Sequence, residues 1–165
     1  MVKPNDLKEI YQESKRLDSL FGEQNDLFSD EIIEKNILEL LVEFGELANE
    51  TRCFKYWSIK PMSDKEVILE EYIDCLFMIL CFCNMTNVSM DEAFPTATQE
   101  NIVGTFLTLY KDGFNLKKNL PKETVKQLLV NILYLADLLN FQYEDIKKGV
   151  SKKSLIIKKR FKENY

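Results

Sequence analysis

Residues 38–50 read LELLVEFGELANE and residues 68–80 read ILEEYIDCLFMIL. These two stretches decide the fold, because both repeat apolar residues at helical spacing and neither alternates as a strand does. Glu43 and Glu46 lie in the first, Glu71 and Asp74 in the second. Each pair is spaced i, i+3, so on a helix it aims two carboxylates from one face. Glu39 and Glu50 extend the first set into a stripe stepping by four, three and four residues. Like charges at that spacing repel by roughly 0.2–0.5 kcal/mol per pair, a cost that a cation held between the two helices would reverse.

The second stretch ties those acids to a core. Cys75 to Cys83, CLFMILCFC, carries nothing more polar than a thiol. A helix that is apolar all round is a buried one, which places Glu71 and Asp74 at the mouth of a buried segment. Carboxylates there need a base, a proton or a metal. The chain has no His. The expected partner is therefore a hard, oxygen-binding ion, Mg2+ or Mn2+, rather than zinc.

Outward from this centre the chain continues as helices. Asn5 is read as the cap of a first helix with Leu7, Ile10, Tyr11, Leu17 and Leu20 inside and Gly22 as its stop. Ser29 caps the second helix, with Asp30 and Glu31 in its first turn. The loop from Thr51 to Met62 holds Phe54, Lys55, Tyr56, Trp57 and Lys60, and taken alone reads as a hydrophobic plug. Ser63 and Glu66 form a capping-box pattern that predicts the start of the third helix. Ser89 and Glu92 repeat that spacing in a short segment ended by Pro95. A further helix runs through Ile102, Phe106 and Tyr110 to Gly113, and Pro121 opens another through Val125, Leu129, Ile132 and Leu139. From Lys147 to Lys162 the chain carries seven Lys and one Arg. That segment reads as a solvated basic face or as an anion clamp. The expected architecture is one all-α domain over residues 1–165, a compact bundle of about five to seven helices.

Composition narrows the function. A length of 165 residues with 45% hydrophobic and 30% charged side chains is ordinary for one globular domain. Twenty-two Lys+Arg against 27 Asp+Glu give a net charge of -5, which argues against nucleic acid or an anionic membrane as partner. MVKPNDLKEIYQ lacks the apolar core of a signal peptide, and the run at 75–83 is too short to span a bilayer. Cys53, Cys75, Cys81 and Cys83 are read as reduced thiols of a cytoplasmic protein. The missing His also excludes the Glu-x-x-His pairs of a di-iron bundle. Mg2+ that keeps waters and shares its shell with phosphate oxygens remains, and with it the activation of water for attack on phosphorus.

At this point the residues match a known pattern. LLVEFGELANETRCFKYWS followed by LEEYIDCLFMIL closely resembles the dimeric, all-α dUTPases of bacteria and their phages, within the all-α NTP pyrophosphatase superfamily that includes the MazG-like enzymes. The matching features are E-x-x-E, the 28-residue step from Glu43 to Glu71, E-x-x-D and the FKYW loop. The resemblance implies an all-α homodimer that hydrolyses dUTP to dUMP and diphosphate with Mg2+, with dUDP as a further substrate. It implies Glu43, Glu46, Glu71 and Asp74 as metal ligands, with Glu43 and Glu46 also catalytic, and Lys55 and Trp57 on the loop lining the substrate pocket. Lys153, Arg160 and Tyr165 match the C-terminal pattern, which implies Lys153 and Arg160 as phosphate contacts. The chain departs from the pattern at Ser14, where a Gln is expected although Gln12 is near, at Phe77, where many members have His, and at Ser154 and Ile157, where Asn is expected. These departures bear on the base. Two further readings stay open: a relative with another nucleotide preference, and a non-enzymatic interaction protein of the same fold.

Overall fold

The computed structural model describes residues 1–23, 25–117 and 119–163. Tyr165, named above in the C-terminal pattern, lies outside the described residues. The architecture is all-helical, with no strand among the described residues. A single 3-10 turn, Pro4–Leu7, leads into six helices: α1 (Lys8–Gly22), α2 (Asp30–Thr51), α3 (Lys65–Met85), α4 (Ile102–Phe114), α5 (Lys122–Leu138) and α6 (Tyr143–Lys162).

α3 is the axis of the molecule, and its sequence explains why. Ile68, Tyr72, Ile73, Cys75, Leu76, Ile79, Leu80, Phe82 and Cys83 are all buried. They point around the helix rather than along one stripe, so α3 must be covered on several sides. It is: α1, α2, α5 and α6 all pack on it. Burying one large apolar side chain is worth about 1.5–3 kcal/mol, so this helix supplies a large share of the driving force. Its buried hydroxyl is satisfied within the core. The Tyr72 hydroxyl donates to the Ile132 carbonyl at 3.3 Å.

α4 and α5 close the other side, and Gly113 sets how closely. A Cβ there would meet Leu41 Cδ2 at 3.0 Å and Phe44 Cε2 at 3.6 Å. Gly113 thus lies within the last turn of α4 as a close-approach residue and does not stop the helix, which runs to Phe114. Two expected caps also differ. Asn5 lies inside the 3-10 turn, which the Lys3 amide starts by donating to Asp6 Oδ2 at 2.8 Å. Asp64, not Ser63, is the N-cap of α3. The Ser63 hydroxyl instead donates to Glu50 Oε2 and ties the loop back onto α2. Ser29 caps α2 as expected, its hydroxyl accepting from the Ile32 amide at 3.3 Å.

The basic C-terminal segment is a packed helix. α6 buries Ile146, Val150 and Ser154. Its lysines reach across to neighbouring helices: Lys147 to Glu9 at 2.9 Å and Lys158 to Glu13 at 2.6 Å on α1, Lys152 to Glu70 at 3.6 Å on α3. Exposed pairs of this kind contribute about 0–1 kcal/mol each. They orient α6 more than they stabilise it.

Candidate metal centre

α2 and α3 form the most extensive helix pair in the structure. Phe44 and Leu47 on α2 are fully buried, and that anchoring turns the neighbouring Glu43 and Glu46 toward α3. Tyr72, Cys75 and Leu76 anchor α3 likewise around Glu71 and Asp74. One carboxylate oxygen each from Glu43, Glu46 and Glu71 lies within 4.8 Å of the others. Glu43 and Glu71 are half-buried and Glu46 is exposed, so the cluster opens to solvent on one side.

Electrostatics at this point is unfavourable without a counter-charge. Burial pushes Glu43 up to about 7, with added repulsion from Asp74, Glu46, Glu39 and Glu71. Burial also raises Glu71, with Asp74 and Glu46 adding to it. Its Oε2 is a further sign: Glu43 Oε2 is buried and has no hydrogen-bond partner. A buried acceptor left unpaired costs about 1–3 kcal/mol. An all-oxygen set of this kind, with one orphaned oxygen turned inward, fits a hard divalent cation.

Asp74 is near the cluster but occupied. Its Oδ2 accepts a hydrogen bond from Lys153 Nζ at 2.6 Å, and both side chains are less than one-fifth exposed. Burial still outweighs that partner and raises the Asp74 carboxyl. Of the four carboxylates singled out in the sequence, the structure therefore joins three directly and gives the fourth to a lysine.

The remaining expected site residues are more dispersed. Lys55 donates to Asn49 Oδ1 at 2.5 Å on the last turns of α2. Trp57 is exposed and stacks edge-on with Tyr56 at 5.2 Å and Phe54 at 6.1 Å between ring centroids. The aromatic loop is thus held in shape by its own rings rather than plugged into the helix pair. Arg160 is exposed in the last turn of α6, where a cation also suits the helix C-terminus. Ser14 and Ser154 are both buried and Phe77 is half-buried.

The structure adds to the reading of Glu39 and brings in one further acid, Asp18. Glu39, one turn before Glu43, is raised by burial and then by Asp74, which places its carboxyl in the same field. Asp18 on α1 accepts from Asn84 Nδ2 at 2.8 Å on α3, and burial raises it. Nothing local in the sequence around Asp18 points to Asn84, 66 residues on.

The metal-free protein should become less stable as pH rises from about 5 to about 7.5. The folded-state value of Glu43 lies above its unfolded value of 4.5, so between the two the native state holds the extra proton. Stability then falls as pH rises through that window. Glu13 and Glu92 are held low by their lysine or backbone partners, and their contribution is lost only at more acidic pH. Melting in EDTA should show a higher Tm at pH 5.5 than at 7.5, and Glu43→Gln should flatten the slope. A wild-type Tm that rose across this range would contradict the crowding.

With this geometry in place, a family model described as dUTPase matches residues 6–165. No curated protein matches the chain.

Proposed function

Because the chain belongs to the dUTPase family, and so is an enzyme that hydrolyses dUTP, we propose that it converts dUTP to dUMP and diphosphate with Mg2+ at the α2–α3 carboxylates. The observation that carries this reading is the convergence of Glu43, Glu46 and Glu71 within 4.8 Å around a buried, unpartnered Glu43 oxygen. Glu43, Glu46, Glu71 and, once free, Asp74 would hold the metal. Bound there, Mg2+ would neutralise phosphate charge and lower the pKa of a water. Glu46, at the solvent side of the cluster, and the half-buried Glu43 would orient that water toward phosphorus. Lys55 and Trp57 border the substrate on the loop after α2, and Lys153 and Arg160 meet its phosphates from α6. Arg offers a planar fork for phosphate oxygens and Lys a mobile point charge.

Base preference is read from a panel. With Mg2+ present, dUTP should be turned over well ahead of dCTP, dTTP and UTP. Equal rates across the panel would instead favour the broader pyrophosphatase reading, as would a preference for another base. Such an outcome would trace to Ser14, Phe77, Ser154 and Ile157.

The working form we propose is a homodimer. Leu107 and Phe114 on α4 are 67% and 69% exposed, and Leu38 and Val42 on the neighbouring α2 are exposed as well. Apolar side chains set outward on two packed helices suit a self-complementary interface. Leu107→Asp should shift light scattering from twice the chain mass to the single 19.4 kDa chain. A wild-type protein of one chain mass at micromolar concentration would contradict the dimer. Among the described residues no helix is long and apolar enough to cross a membrane.

A further inference from the structure

We infer that Lys153 is the resident cation of the carboxylate cluster, and that its amine must leave Asp74 before a metal ion takes that carboxylate. The inference rests on the metal-site reading above and adds an order of events to it. Lys153 Nζ lies 2.6 Å from Asp74 Oδ2, with side-chain exposures of 17% and 18%. The other α6 bridges to α1 and α3 are more open: Lys147–Glu9 at 47% and 75%, Lys152–Glu70 at 70% and 48%, and Lys158–Glu13 at 42% and 20%. The Lys153 pair is therefore the desolvated one, where a charge without a partner is costly. An ammonium is a compact point charge with three donors and no fixed coordination geometry, which lets it stand in for a hard cation. It brings one positive charge where a divalent ion brings two. Glu43, Glu46 and Glu71 therefore remain crowded while Lys153 holds Asp74.

The amine also has somewhere to go. Lys153 lines a groove of about 450 Å3 between α3 and α6, whose lining includes Leu69 and Ile73 as well as the carboxylates Glu66, Glu70 and Asp145. The buried face of α6 is formed by other residues, Ile146, Val150 and Ser154, so a swing of the amine toward the groove does not require that face to repack. Once displaced from Asp74, the same amine is available beside the site and suits a phosphate oxygen. Metal and triphosphate are then coupled through one side chain. Metal alone competes with Lys153, and metal with nucleotide does not.

The test uses the full chain without nucleotide and with Mn2+ as the probe, titrated by calorimetry into wild type, Lys153→Met and Lys153→Arg. Couplings of this kind are worth roughly five- to a hundredfold in affinity, so Lys153→Met should bind Mn2+ tighter by a factor in that range. Lys153→Arg should stay near wild type, because it keeps the cation. An affinity in Lys153→Met equal to or weaker than wild type would overturn the inference. A second measurement needs no variant. A lysine-selective acylating reagent, read by mass spectrometry on wild type, should label Lys153 faster when saturating Mg2+ is added. An unchanged labelling rate at saturating metal would overturn it as well. Failure of the metal site itself looks different: wild type would then show no saturable Mn2+ binding, and Glu71→Gln would match it.

Discussion

Replacing Glu43 by Gln is expected to lower dUTP turnover by roughly a hundred- to a thousandfold or more, while the melting temperature of the metal-free protein holds or rises. The two effects should move apart because they come from one cause. Glu43 is pushed up by burial and by four neighbouring carboxylates, so its charge is a cost in the empty site and an asset only when a cation is present. Gln keeps the shape, leaves Phe44 and Leu47 packed, and removes the charge. Asp74→Asn should lower turnover comparably but destabilise the fold, since it strands the poorly exposed Lys153 without its partner. Steady-state rates at saturating Mg2+ and thermal melts in EDTA read both quantities. Near-normal turnover in Glu43→Gln would remove the carboxylate from the site.

Arg160→Ala is expected to raise KM for dUTP by roughly ten- to a hundredfold, the worth of one charge-assisted hydrogen bond to phosphate of about 1.5–3 kcal/mol. Arg160 is exposed, so its loss should change stability by no more than about 0.5 kcal/mol. Deleting residues 150–165 is a different experiment from the one the sequence suggests. Read as a basic tail, the segment would only weaken substrate binding when removed. As a helix with Val150 and Ser154 buried it supports the wall of the bundle, and Gly149 seats it against Ile73. Truncation should therefore abolish cooperative unfolding, visible as a lost calorimetric transition. A truncated chain that melted like wild type would show α6 to be dispensable. An unchanged KM in Arg160→Ala would remove Arg160 from the phosphate contacts.

How much of this was legible before the structure depends on the range of the signal. The all-α class, α2 and α3 were legible, because helical periodicity and the Glu-x-x-Glu and Glu-x-x-Asp spacings are local and survive any packing. The convergence of Glu43, Glu46 and Glu71 followed from two helices packed face to face, which their apolar residues required. Other features were not legible. Ser63 carries a good cap signal, yet its hydroxyl is taken by Glu50, 13 residues earlier in the chain. Gly113 looks like a stop and proves to be a contact with Leu41. The Lys153–Asp74 and Asp18–Asn84 pairs bridge 79 and 66 residues, and no local pattern encodes a contact at that separation. The same limit hid the basic segment's role as a packed helix. Its buried positions 146, 150 and 154 are too few to outweigh its charge in a sequence reading.

The measurement that bears most directly on the central claim is phosphorus NMR of the purified protein mixed with dUTP and Mg2+. The account requires dUMP and diphosphate to appear in equal amounts, at a rate that EDTA reduces to background and excess Mg2+ restores. Release of dUDP and orthophosphate would contradict the assigned bond cleavage, and turnover that persisted in EDTA would contradict the metal centre.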